Sequence, residues 1–162
     1  MNTFFGLPAH PLFVHLPVVL IPLGFVGALF MVARPSWWQR LAWPTVVVTT
    51  LGTLGAIMAA NSGEALEEAV RDRSVRDLVR DHVEAGDMAR GAAIVFFVVL
   101  VVSVFGPRFV KALVAKKWWR PLVVVAVVAS GAFASWAMYD AGHSGAKSVW
   151  NDVKVSGEGD GD

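Results

Sequence analysis

The sequence predicts an all-α fold, an integral membrane four-helix bundle with an extra amphipathic helix between spans two and three. Two observations support this prediction. Hydrophobic residues make up 56% of the 162-residue chain and charged residues only 17%, whereas soluble domains are about one-quarter charged. Four apolar runs, at residues 12–32, 44–60, 88–105 and 121–138, are each close to the length of about 20 residues that crosses a hydrocarbon core.

The first span contains three prolines. Pro11 lies at the first helical position, where proline is tolerated, while Pro17 and Pro22 lie inside the helix and free backbone carbonyls. Carbonyls without a hydrogen bond inside a membrane need donors from other helices, side chains or water. This helix is therefore predicted to face protein or a cavity. It ends at Pro35, and the tryptophans and arginines that follow are typical of a membrane interface.

The second span is predicted to begin at Pro44. Small residues along it would let another helix or a flat ligand approach closely, and these are Gly52, Gly55, Ala56 and Ala59. After it, Asn61 with Glu64 resembles an N-cap with a glutamate three positions later. The charged residues 64–87, with apolar side chains at broadly helical intervals, are therefore predicted to form a separate amphipathic helix over the end of the bundle.

The third span ends at Gly106-Pro107, and a basic hairpin leads to Pro121, the predicted start of span four. That span continues through Asp140 to His143. Residues 1–150 thus form one predicted membrane domain, and the acidic, polar residues 151–162 are predicted to be disordered.

The basic residues favour one orientation. The two hairpins after spans one and three contain seven Lys and Arg, and the other seven lie in the charged middle segment and the tail. Because the hairpin charges are concentrated in short loops beside spans, the hairpins are predicted to be cytoplasmic, with extracytoplasmic N- and C-termini.

The four histidines lie at the same end of the predicted bundle. An even number of spans places the N-terminus, the middle segment and the C-terminus on one side, and these parts contain His10, His15, His82 and His143. His15 lies about one turn inside span one, and His10 lies near the interface. All four are candidate ligands for a metal or a cofactor.

Carboxylates near these histidines are candidates for orienting a metal ligand from the second coordination sphere. Asp140 lies three residues before His143 and so on the same helical face. The others flank His82, and they are Asp81, Glu84 and Asp87.

Four motifs together resemble a known family. They are Gly6-Leu-Pro-Ala-His10-Pro-Leu-Phe-Val-His15-Leu-Pro, Asn-Ser-Gly63-Glu, Asp81-His82-Val-Glu-Ala-Gly86 and Gly142-His143-Ser-Gly145-Ala. The combination is similar to the bacterial four-span membrane proteins grouped as domain of unknown function 2231, from Gly6 to about Trp150. The resemblance implies a location in the bacterial cytoplasmic membrane. Members are sometimes fused to Rieske, rubredoxin-like or cytochrome c modules, which implies respiratory or other redox membrane proteins as partners.

A haem protein is the leading prediction for the function, and two alternatives remain open. The leading prediction is a b-type haem protein of electron transfer, with His15 and either His82 or His143 as axial ligands, since neutral imidazoles from two helices can ligate haem iron. The first alternative is a zinc- or copper-binding module that uses three or four of the histidines. The second alternative is a structural or assembly subunit without a cofactor, which packs through small residues in spans two and four.

Other classes have little support. The chain has no cysteine, which excludes disulfides, thiolate metal sites and a cysteine nucleophile. The sequence contains no Gly-x-Ser-x-Gly elbow, the motif typical of many serine hydrolases. A non-enzymatic protein is therefore predicted. A net charge of +1 gives no reason to expect nucleic acid. The lipid bilayer is the predicted environment, and a homo-oligomer stays open.

Overall fold

The computed structural model describes residues 3–4, 7–69 and 73–150. Four long helices and one short helix make up most of this part of the chain, and they are α1 (Ala9–Ala33), α2 (Trp38–Ala69), α3 (Arg73–Phe105), α4 (Lys111–Val114) and α5 (Trp119–Trp150). Single 3-10 turns, Pro35–Trp37 and Gly106–Arg108, follow α1 and α3. A two-residue antiparallel pair, β1 (Thr3–Phe4) with β2 (Leu7–Pro8), precedes α1.

The four long helices each contain a segment long and apolar enough to cross a membrane. The predicted all-α membrane bundle of four spans is therefore confirmed. Large apolar side chains on its outer face remain exposed, among them Val19, Leu54 and Val125. In lipid this exposure is favourable, because the hydrocarbon around the protein is as apolar as its interior.

The charged middle segment is helical, as predicted, but it forms no helix of its own. The Asn61–Glu64 motif lies inside α2, which continues to Ala69, and α3 already begins at Arg73. The hydroxyl of Ser62 donates a hydrogen bond to the carbonyl of Ala59 in the same helix, 2.9 Å away, so the predicted N-cap is wrong. The short stretch at residues 70–72 and the predicted disordered tail at residues 151–162 lie outside the described residues.

The start of the second span also differs from the prediction. Pro44 lies within α2, which begins six residues earlier at Trp38. Pro44 is the seventh residue of α2 and has no N–H to donate to the carbonyl of Arg40, so the helix continues through it with one hydrogen bond fewer. The tryptophans before Pro44 therefore belong to the helix as well as to the interface.

The long helices pack as a closed ring in the order α1, α2, α3, α5. Phe96 and Leu100 of α3 lie in the centre with Ile21 of α1 and Val127 of α5, each no more than 1% exposed. Each long helix packs against its two neighbours in this ring. The start of α1 therefore meets the end of α2, and the start of α3 meets the end of α5.

Glycines allow α1 and α2 to approach closely. A Cβ atom at Gly24 would clash with Oγ1 of Thr49, and one at Gly55 would lie 2.7 Å from Cβ of Leu16. Gly52 likewise contacts the side chain of Ile21. Two of the four small residues predicted to admit a helix or a flat ligand, Gly52 and Gly55, thus face α1, and helix packing occupies their surface.

Candidate functional site

The ring of His10 is held against the end of α2. Its Nδ1 lies 2.9 Å from the carbonyl oxygen of Ala59 and 3.2 Å from Oγ of Ser62. A carbonyl only accepts, so Nδ1 carries the hydrogen and donates it. The ring also lies on Gly63, where a Cβ atom would come within 3.1 Å of its Cε1.

The ring of His82 is held in the same way against the end of α5. Its Nδ1 lies 3.3 Å from Oγ of Ser144, whose hydroxyl donates to the carbonyl of Ala141 at 3.0 Å. In the tautomer with the proton on Nδ1, the serine oxygen accepts from His82 while its own hydrogen stays on the carbonyl of Ala141. A Cβ atom at Gly145 would lie only 2.8 Å from Cε1 of this ring.

Two Ser-Gly pairs therefore support the two histidines. In each pair the serine oxygen lies within hydrogen-bonding distance of Nδ1, and the following glycine provides the surface on which the ring lies. Each ring thus has a hydrogen-bond partner at Nδ1. In the tautomer with the proton on Nδ1, Nε2 presents a lone pair, the form in which imidazole binds a metal.

The two rings meet each other across the bundle. Their centroids are 5.8 Å apart and their planes are inclined at 81°. Both line a cavity of about 60 Å³ between the helices, together with Ala56, Ala59 and Met138. A space of this size holds one ion or about two water molecules, since one water occupies about 30 Å³ in the liquid.

An arginine links charged groups at the same cavity. Arg90 lies 3.0 Å from a carboxylate oxygen of Asp87 and 3.3 Å from one of Glu64, and it also donates weakly to Asn61. Arg90, Glu64 and Asp87 all line the cavity with the histidines. The cation neutralises these carboxylates in part and joins α3 to the end of α2.

The other predicted ligands lie apart from this pair. His15 is exposed, and its ring hydrogen bonds to the carbonyl of Pro11 one turn earlier in α1. His143 is exposed as well and stacks on Tyr139 with centroids 5.8 Å apart. The structure therefore brings together His10 and His82, and not His15 with His82 or His143.

In the described part of the chain, the predicted carboxylates form no hydrogen bond or ion pair with the rings of His10 and His82. Glu84 pairs with Arg80 at 3.2 Å on the surface, Asp87 pairs with Arg90, and Asp81 is exposed. Asp140 also has no hydrogen bond to His143 among the described residues. The partners at Nδ1 of His10 and His82 are serine hydroxyls and a backbone carbonyl instead of the predicted carboxylates.

Ser62, Ser144 and Met138 belong to the candidate site and were not predicted. A signal for the serines was present, because Ser-Gly occurs in two of the four motifs that carried the resemblance. In the motif Gly142-His143-Ser144-Gly145, only the histidine was predicted to belong to a site. Its serine and glycine contact a different histidine, His82. No sequence signal distinguished Met138 from other apolar residues of span four.

A comparison with protein families decides the membership of the chain. The family model described as "Predicted membrane protein (DUF2231)" matches residues 6–156. The chain belongs to this family. The resemblance seen in the motifs is thereby confirmed, and the match includes both Ser-Gly pairs and all four histidines. No curated protein and no solved structure matches the chain.

Proposed function

We propose that this DUF2231 protein is a membrane-embedded copper-binding protein that holds one ion between His10 and His82. The separation of the two rings supports the proposal best. A bond between a metal ion and an imidazole nitrogen is about 2.0–2.1 Å long, so two rings that share one ion have centroids about 5–6.5 Å apart. The observed 5.8 Å lies in this range.

The hydrogen bonds at Nδ1 also support a ligand role. Metal-binding histidines almost always donate their second ring N–H to a carbonyl, a carboxylate or a water, which fixes the tautomer and the ring orientation. His10 donates to the carbonyl of Ala59, and His82 donates to Ser144. Each lone pair is thus fixed on the nitrogen that remains for a ligand.

The lining of the cavity favours copper over zinc. Met138 lines the same cavity and is 2% exposed, and thioether sulfur is a soft ligand that selects monovalent copper. Structural zinc needs four ligands and catalytic zinc three. Within the described residues, no group of three or more His, Cys, Asp or Glu could hold a metal ion. Two imidazoles and one thioether suit monovalent copper.

Haem b remains the competing cofactor. A bis-histidine haem would need a slot of several hundred Å³ between the two rings, comparable with ligand pockets of about 300–1,000 Å³. The cavity at His10 and His82 is about 60 Å³, so the helices would have to separate. A single ion needs no such rearrangement. A bound copper ion would supply a one-electron centre in the membrane, consistent with redox proteins as partners.

Metal binding to purified protein tests the proposal. Protein in detergent is titrated anaerobically with monovalent copper against a chromogenic chelator, and its metal content is measured by mass spectrometry. We expect about one copper per chain, and we expect His10→Ala and His82→Ala each to abolish stoichiometric binding because each variant removes one of the two imidazole ligands. His15→Ala and His143→Ala are matched controls that remove an exposed histidine and should bind as the wild type does.

Three results would contradict the proposal. Wild-type protein that binds no copper would exclude it. Equal losses in all four histidine variants would remove the assignment to His10 and His82. A Soret band in the absorption spectrum of protein isolated from membranes, lost in the His10 and His82 variants, would establish haem instead of copper.

We infer further that the hairpin end of the bundle faces the cytoplasm of a bacterial cell. The seven Lys and Arg of the two hairpins have no acidic residue among them, since no Asp or Glu occurs between residues 1 and 63 or between 88 and 139. Short, basic loops beside spans are retained on the cytoplasmic side. The copper site would then lie at the extracytoplasmic surface.

A further inference from the structure

A second and larger cavity lies at the opposite end of the bundle from the histidines. Its volume is about 370 Å³, it is partly open to the surface, and residues near the ends of α1 and α3 and near the starts of α2 and α5 line it. Most of its wall is apolar and includes Met31, Val32, Val123 and Val124. This volume falls within the range of about 300–1,000 Å³ that is usual for small-molecule sites.

The polar groups of this cavity are few. The hydroxyl of Ser103 donates to the carbonyl of Val99 at 2.7 Å and is already satisfied. Arg120 also lines the cavity, and within the described residues it has no ion pair or hydrogen bond from its side chain. An apolar chamber with one unpaired guanidinium is complementary to a molecule that joins an apolar chain to an anion.

The surroundings of the cavity are strongly basic. Seven Lys and Arg belong to this end of the bundle, and they are Arg34, Arg40, Arg108, Lys111, Lys116, Lys117 and Arg120. No acidic residue occurs between positions 1 and 63 or between 88 and 139, so no carboxylate of these segments neutralises them. The positive electrostatic potential of these side chains attracts anions.

Tryptophans place this end at the level of lipid headgroups. Trp38 and Trp119 line the cavity, and Trp43 and Trp118 near it are 63% and 50% exposed. Tryptophan rings concentrate at the membrane–water interface. The cavity therefore lies where a phospholipid could insert a chain among apolar side chains while its phosphate stays at the guanidinium.

We propose that this cavity is a binding site for an anionic phospholipid of the surrounding leaflet, with the acyl chain against Val123 and Val124 and the phosphate at Arg120. Basic pockets between transmembrane helices are a known means of recognising acidic headgroups. The site is independent of the proposed copper centre, which lies at the other end of the helices. Loss of copper binding would leave this proposal unaffected.

Lipid competition measured by native mass spectrometry tests it. Detergent-purified protein is mixed with equal amounts of phosphatidylglycerol and phosphatidylcholine that have the same acyl chains, and the bound lipids are counted. We expect phosphatidylglycerol to be preferred at least about fivefold, since one Lys or Arg near the surface contributes about 1 kcal/mol to anionic lipid binding. Arg120→Gln should remove most of this preference, while Lys117→Gln, a matched exposed residue outside the cavity, should retain it.

A cavity-filling variant provides a second readout. Val124→Phe should lower the retention of both lipids without changing a charge, because the added ring occupies the space for the acyl chain. Circular dichroism and gel filtration identify any variant that fails to fold. Equal retention of the two lipids by the wild type, or equal effects of Arg120→Gln and Lys117→Gln, would overturn the proposal. So would displacement of the lipid by glycerol phosphate at millimolar concentration, which would indicate a site for soluble phosphate.

Discussion

The imidazole rings of His10 and His82 meet edge to face with their centroids 5.8 Å apart. One ring comes from the start of α1 and the other from the start of α3. They meet because each ring hydrogen bonds to the end of another helix. His10 contacts Ser62 of α2, and His82 contacts Ser144 of α5. The contact thus joins all four long helices at one end of the bundle.

The serines that orient the two rings should contribute to metal affinity. We expect Ser144→Ala to weaken copper binding about 10- to 100-fold, the usual cost of losing a hydrogen bond that orients a metal-binding histidine. Ser62→Ala should weaken it by a smaller factor, because Nδ1 of His10 keeps its hydrogen bond to the carbonyl of Ala59. The chelator competition described above measures the change. Ser130→Ala is a suitable control, since its hydroxyl donates to Ala126 within α5 and contacts neither ring. Full affinity in both site variants would show that the serines have no orienting role.

The glycine beneath His82 should tolerate no side chain. Gly145→Ala places a Cβ atom 2.8 Å from Cε1 of His82, so the ring must shift. We expect about a tenfold loss of copper affinity, the lower end of the range for a misoriented ligand. Gly142→Ala is the matched control on the same helix, because a Cβ atom there meets nothing within 4 Å. Equal affinities of the two variants would contradict the ring position.

The contact between α1 and α2 should depend on Gly55. Gly55→Ala brings a Cβ atom within 2.7 Å of Cβ of Leu16 and 3.0 Å of the Pro17 ring. Overpacking of this kind costs about 1–3 kcal/mol, and we expect a matching decrease in the free energy of unfolding in mixed micelles. Gly91→Ala has open space around the new Cβ atom and should leave stability unchanged or raise it slightly. A stable Gly55→Ala variant would indicate a wider separation of the two helices.

The orientation can be measured directly because the chain contains no cysteine. Single cysteines are introduced at Lys117 in the hairpin and at Asp81 near the histidine end, both of which are exposed. In intact cells we expect a membrane-impermeant maleimide to label the Asp81→Cys variant and not the Lys117→Cys variant, since basic loops face the cytoplasm. Labelling of Lys117→Cys alone would reverse the orientation and place the paired histidines in the cytoplasm.

The number of spans could be predicted because each is a long apolar run separated from the next by charged or aromatic residues. The residues at which the helices begin and end could not be predicted in the same way. Asn61 and Pro44 are both residues that commonly begin helices, yet both lie inside α2. Contacts with α1 along this helix stabilise it as one continuous element, and such contacts are not visible in a local pattern of residues.

The sequence by itself determined that the chain crosses the membrane four times and that its histidines share one end. The tertiary structure alone decided which histidines meet. In lipid the outer face of a helix is as apolar as its inner face, so hydrophobic periodicity does not show how each helix is rotated about its axis. That rotation follows from close contacts such as Gly24 with Thr49 and Gly55 with Leu16, and it directs His10 inward while His15 remains exposed.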